Sequence, residues 1–167
     1  MKLRHAAVAL GLTALLACKA PAARTGIGAA APELSGTTLT GDTVALSSFR
    51  GEPVLLNLWA TWCAPCRRET PYLQTLHERY GREGLRVVGV TVDTRGSASD
   101  VRAFIDEFGV TYTILHDPDM VSMDRLSVLG LPATFLVDRD GVIRHVVTGP
   151  LVEGDRAFDA ALRAVLE

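Results

Sequence analysis

An apolar run from Ala6 to Ala17 opens the chain, set behind the cations Lys2 and Arg4. Its twelve residues are too few to cross a bilayer as a helix, which takes about 20, but they suit the apolar region of a secretory signal. Residues 19–31 carry no sustained apolar pattern and read as a flexible tether. From Pro32 onward, short apolar runs alternate with stretches of helical periodicity. Thr37 to Leu46, with Thr40-Gly41-Asp42 at its centre, predicts a hairpin. Val54 to Trp59 predicts a strand buried on both faces. Leu73 and Leu76 mark the apolar side of a helix from Cys63 or Ala64 to Tyr80, ended by Gly81 and kinked by Pro71.

Leu85 to Val92 predicts the second central strand. A helix capped by Ser97 or Ser99 follows, with Val101, Phe104, Ile105 and Phe108 at helical spacing. Thr111 to Leu115 is β-rich, and Asp119 to Val128 reads as a short helix. Thr134–Val137 and Val142–Val147 flank Asp138-Arg139-Asp140-Gly141, a hairpin turn, and a last helix runs from about Glu153 to Leu166. Strands alternating with helices imply an α/β fold layered on a central sheet.

Composition narrows the class. At 167 residues and 48% apolar, the chain is one domain able to bury a core without disulfide staples. Ordinary Gly and Pro contents exclude collagen-like and disordered classes. The formal charge is −2, and loss of residues 1–17 would take it to −4. Neither value attracts nucleic acid, so no nucleic-acid partner is expected.

The three cysteines are unevenly placed: Cys18 stands alone, while Cys63 and Cys66 form a Cys-x-x-Cys. Leu15-Leu16-Ala17-Cys18 resembles the bacterial lipobox, in which the cysteine sulfur receives a diacylglycerol and becomes residue one after cleavage. Residues 1–17 are then a lipoprotein-type signal peptide, 18–31 a lipidated cysteine and tether, and 32–167 the domain. Multiple acyl chains would hold such a protein on a membrane where one chain binds only marginally. Ordinary signal cleavage after Ala22 or Ala23 is the alternative.

Trp59-Ala60-Thr61-Trp62-Cys63-Ala64-Pro65-Cys66 places the paired cysteines where a buried strand turns into a helix. Zinc would need four ligands, and neither a second Cys-x-x-Cys nor a His pair at ligand spacing exists, so no metal is assigned. His77, His116 and His145 read as structural or surface residues. A redox-active dithiol suits the setting, because the helix N-terminus favours thiolate at Cys63. Lowering a thiol pKa from about 8.5 to about 7 raises its thiolate fraction at neutral pH from roughly 3% to roughly 50%. Falling nucleophilicity returns much of that, leaving about threefold in attack. The larger benefits are a better leaving group and a resolving thiol at intramolecular distance. Cys63 is therefore expected as the exposed attacking sulfur and Cys66, one turn inward, as the resolving one.

Trp-x-x-Trp-Cys-x-x-Cys after a buried strand, Pro71, and Gly130-Leu131-Pro132-Ala133-Thr134-Phe135 together resemble the thioredoxin fold. Within it, Asn57-x-Trp59-Ala-Thr-Trp-Cys-x-Pro-Cys-x-x-Glu69 and Phe135 to Gly141 are similar to the TlpA/ResA-like branch of membrane-tethered, extracytoplasmic thiol–disulfide oxidoreductases. The resemblance covers about Pro32 to Glu167. It implies a thioredoxin-like domain with an N-terminal β-hairpin and an inserted helix and strand over about Ser97 to Leu115. It also implies a cis bond before Pro132, which presents an edge to the substrate backbone, and a tuning position at Leu131. Trp62 becomes an apolar shelf beside Cys63, and Trp59 simple core. Glu69, three residues beyond Cys66 and on the same helix side, becomes the acceptor of that thiol's proton. Asn57 departs from the buried aspartate of ordinary thioredoxins and leaves the proton route open.

The implied activity is reduction of protein disulfides, in apocytochrome c or its handling factors, with recharging by a membrane thiol donor of the DsbD/CcdA type and no cofactor. An oxidase or isomerase of exported proteins is the alternative direction. A thiol peroxidase would want Thr-x-x-Cys, and a copper-delivery module Cys-x-x-x-Cys with a distant His. The spacing fits neither.

Overall fold

The structure, a computed structural model, describes residues 25–167. The signal, Cys18 and residues 19–24 of the expected tether lie outside the described residues. Seven strands form one sheet in the order β2-β1-β5-β4-β3-β6-β7. They are β1 (Ser35–Thr38), β2 (Thr43–Ala45), β3 (Val54–Trp59), β4 (Arg86–Thr91), β5 (Thr113–His116), β6 (Ala133–Val137) and β7 (Ile143–Thr148). The helices are α1 (Ala64–Tyr80), α2 (Ala98–Phe108), α3 (Val121–Leu126) and α4 (Arg156–Leu166). The central trio β3, β4 and β5 is parallel, while β6 runs antiparallel to β3 and carries β7 outside it. The β1–β2 hairpin joins through β5, so α2 and β5 form the helix–strand insert of a thioredoxin-like fold.

Alternation along β3 divides the core. Leu55 and Trp59 face a cluster built on α1, α2 and α4, through Leu73, Leu76, Val101, Phe104, Phe158 and Leu162. Val54, Leu56 and Leu58 face the other side, with Leu34, Leu46 and Leu126 of α3. Asn57 therefore points to the α1 face. Trp59 is core as expected, 3% exposed, its ring 4.5 Å from that of Phe104. Gly89 on β4 leaves it room, since a Cβ there would come within 3.0 Å of Trp59 Nε1 and 2.8 Å of Ile114 Cδ1.

Element ends differ from the sequence reading where side chains compete for backbone. Ser97 precedes α2 without capping it, because its hydroxyl pairs with that of Thr94 at 3.1 Å. The Asp117 carboxylate accepts from Val121 N (3.1 Å) and Ser122 N (2.7 Å), so α3 starts later than Asp119. Asp155 accepts from Ala157 N and Phe158 N, which delays α4 to Arg156. Residues 28–31, the end of the expected tether, lie along β7: Gly28 N donates to Ile143 O at 2.8 Å and Ala31 N to Gly141 O at 2.8 Å.

Candidate active site

Parallel β3 and β4 end on the same side, and the chain leaves β3 there through Ala60–Trp62 to start α1. Cys63 is the N-cap, in extended conformation, and its Sγ accepts from Cys66 N at 3.3 Å. The two cysteines are disulfide-bonded, with Cα atoms 5.3 Å apart. The expected exposed sulfur is less open than its sequence position suggests: Cys63 is 5% exposed and Cys66 0%. An N-cap side chain folds back over the first turn, which draws Sγ inward. No acid occupies that turn, so nothing there competes for the helix's free N–H groups. Pro65, however, contributes no N–H. Of the two following arginines, Arg67 pairs with Glu107 and lies 4.9 Å from the centre of the Phe108 ring, while Arg68 donates to Ala64 O at 3.4 Å.

Behind the disulfide lies a buried polar cluster. Glu69 is 2% exposed; Oε1 accepts from Asn57 Nδ2 at 2.7 Å and Oε2 from Leu151 N at 2.7 Å. Asn57 also donates to Thr134 Oγ1 at 3.0 Å, across the β3–β6 register. Burial pushes the Glu69 carboxyl up to about 7, against the opposing effect of the Leu151 N–H and the Asn57 amide. The same desolvation, with the nearby Glu69 charge, raises the Tyr112 phenol above its ordinary value. Glu69 follows Cys66 by one helical turn, but both of its oxygens are engaged with Asn57 and Leu151 rather than with a cysteine.

Trp62, next to Cys63 in sequence, is 68% exposed. Leu129, three residues before Pro132 and not singled out in the sequence, is fully exposed. The Leu131–Pro132 bond is cis. Leu58 pairs with Ala133, which sets Pro132 across from Trp59 at the sheet end where the cysteine loop begins. Its carbonyl accepts from Gly149 N at 2.9 Å. Leu131 packs partly buried between the two core clusters. Of the histidines, His116 donates Nε2–H to the Asp93 carbonyl at 2.8 Å, and His77 and His145 lie edge-on to Tyr112 and Phe158.

Two further side chains hold the cysteine loop: Asp93, in the turn after β4, and Thr61. The sequence does not point to Leu151 or Asp93, and Thr61 and Thr134 stand within its motifs with no role of their own. The only signal for Asp93 was a carboxylate ending a run of valines at the close of a buried strand.

Comparison with known proteins places this geometry. The family model of AhpC/TSA matches residues 27–146. The thiol-disulfide oxidoreductase ResA of Geobacillus kaustophilus is 36% identical over 129 residues, 77% of this chain and 73% of that protein. A Chlorobium tepidum crystal structure, assigned as a DsbE-type thiol:disulfide interchange protein, aligns with a TM-score of 0.79 at 29% identity. That alignment covers 86% of this chain and all of the other. The structure of a secreted Mycobacterium tuberculosis disulfide oxidoreductase aligns with a TM-score of 0.64 at 26% identity, over 78% of this chain and 92% of its own. With a Cys-x-x-Cys bonded at the head of α1 and relatives of this kind, the chain belongs to the AhpC/TSA family and is a thiol–disulfide oxidoreductase related to ResA.

Proposed function

We propose that the chain works outside the cytoplasm as a reductant of protein disulfides, with Cys63 attacking and Cys66 resolving. The observation that carries this direction is the buried carboxylate of Glu69 one turn behind Cys66. A disulfide couple becomes more reducing as its thiolate form is made less stable. A negative charge held in low dielectric beside the pair does that, and Pro65 withholds one N–H that would act the other way.

In the forward reaction the Cys63 thiolate attacks one sulfur of a substrate disulfide. A mixed disulfide forms as the substrate S–S bond breaks, and the departing sulfur leaves as thiolate and takes a proton. Cys66 then loses its proton, attacks Cys63 Sγ and expels the second substrate sulfur. Two electrons pass to the substrate, and the chain is left with its own disulfide, to be recharged by an external dithiol such as a membrane donor of the DsbD/CcdA type. Glu69, one helical turn beyond Cys66, is assigned as the acceptor of the Cys66 proton; a carboxyl titrating near neutrality suits the task. Trp62, Leu131 and Pro132 form the surface against which the substrate backbone lies. Apocytochrome c or its handling factors fit as substrates. Mixing the reduced chain with a protein disulfide under nitrogen tests the direction: substrate thiols appear if it is a reductant, and none form if it is an oxidase.

The charge on Glu69 has a stability signature. The unfolded carboxyl ionises near 4.3, but the folded one holds its proton up to about 7. Between these values the native state binds more protons, so stability falls as pH rises through that window and levels off above it. The drop is on the order of 3 kcal/mol. In Glu69→Gln it should vanish, read as urea-unfolding free energies that differ little between about pH 5 and about pH 8. A wild-type curve flat over that range would contradict the buried-charge assignment.

Among the described residues no helix is long and apolar enough to cross a membrane. The resemblance of Leu15-Leu16-Ala17-Cys18 to a lipobox supports attachment through a lipid on Cys18, after removal of residues 1–17, in the bacterial cell envelope. Cys18→Ser should move the chain from the membrane to the soluble fraction. Unchanged fractionation would refute lipidation.

A further inference from the structure

The loop that delivers Cys63 to α1 is tied down by a buried carboxylate that the exchange chemistry itself does not use. Asp93 is 2% exposed. Its Oδ2 accepts from Thr61 N at 2.9 Å and its Oδ1 from Thr61 Oγ1 at 2.6 Å. Thr91 donates its hydroxyl to the same carboxylate from the end of β4. Val92 N donates to Trp59 O at 3.0 Å, and His116 grips the Asp93 carbonyl from β5. Groups from β4 and β5 thus converge on Asp93, which holds Thr61, two residues before Cys63. Burying a charge is costly unless its acceptors are filled, and here two of the donors come from one residue of one loop. That residue lies between Trp59, locked in the core, and Trp62, held 68% exposed.

We propose that Thr61 and Asp93 are positioning residues for the attack at Cys63. By holding both donors of Thr61, its N–H and its hydroxyl, the carboxylate fixes the Ala60–Trp62 backbone. The fixed loop keeps the Cys63 sulfur at the helix N-terminus and the Trp62 ring turned toward substrate. The step served is the one described above, in which the Cys63 thiolate displaces a substrate sulfur; this inference rests on that reading of the reaction.

Thr61→Val removes the hydroxyl without changing side-chain shape, at a half-buried position. The expected results are a roughly tenfold slower reduction of a protein disulfide by the reduced chain and a Cys63 thiol pKa higher by about half a unit or more. The second is read from the pH profile of alkylation by iodoacetamide. Thr61→Ser, which restores the donor, should recover both. Thr61→Ala, lacking the branched side chain, should repeat the valine result.

A merely structural role would lower the unfolding temperature and leave the alkylation profile in place. Wild-type profiles in both Thr61→Val and Thr61→Ala, with rates within about twofold, would overturn the proposal. The alkylation profile needs no substrate. If the wild-type chain failed to reduce the protein disulfide, the assigned direction would fall, while the thiol titration would still decide whether the clamp positions Cys63.

Discussion

Cys63→Ser should lower the rate of protein-disulfide reduction by on the order of 10⁴-fold or more, the scale on which loss of a nucleophile is felt. A hydroxyl has no anion at neutral pH to attack sulfur. The variant is informative because the substitution suits the local structure. Cys63 is the N-cap of α1, and its side chain accepts from Cys66 N. Serine is among the preferred residues for that bond. The lost disulfide closes too short a loop to constrain the unfolded chain much. The unfolding midpoint should therefore stay close to that of the reduced wild type while turnover disappears. Residual turnover within about tenfold of wild type would move the attacking role away from Cys63.

Cys66→Ser should produce the second large effect, of a different kind. Attack at Cys63 proceeds, but no thiol is left to break the mixed disulfide. Turnover stops after one event, and the partner stays bonded to Cys63. Non-reducing electrophoresis of cell extracts should reveal a species that collapses on reduction and is missing from the Cys63→Ser, Cys66→Ser double variant. Serine here places a hydroxyl at a position with no exposure, at a cost of about 1–3 kcal/mol, which a domain of this size tolerates. Repeated recovery of no covalent partner, with the variant folded and its Cys63 alkylatable, would count against exchange with protein disulfides. Identification of the trapped chain would also decide whether cytochrome c maturation supplies the substrate.

Sequence carried the parts of the site that depend on neighbours along the chain. The strand before the cysteines, the helix beginning at Ala64, and the spacing that puts Glu69 one turn beyond Cys66 are consequences of local pattern. So is the turn at Asp138–Gly141, where Gly141 adopts φ 78°. What escaped was set by groups far apart in sequence. Nothing around Glu69 indicates that its second oxygen is taken by the backbone of Leu151, 82 residues away. Nor does anything around Thr61 point to Asp93, because that contact exists only when β3 and β4 run side by side and end together.

Cys63 is buried for a local reason. A helix N-cap suggests an accessible edge, but the capping side chain turns back over the helix it caps. Asn57 is the intermediate case. Sequence marked it as a departure from the usual aspartate, and the structure shows its amide joining Glu69 to Thr134. An aspartate there would have set two carboxylates against each other in the interior.

Whether this dithiol donates electrons is decided by its equilibrium reduction potential. The purified domain would be equilibrated with redox buffers of known potential, and the Cys63–Cys66 thiols counted after acid quenching and alkylation. A reductant with a buried carboxylate behind its resolving cysteine should titrate near −270 mV, as thioredoxin does. A midpoint near −120 mV, where the thiolate form is strongly stabilised, would contradict that assignment and make the chain an oxidant of exported proteins.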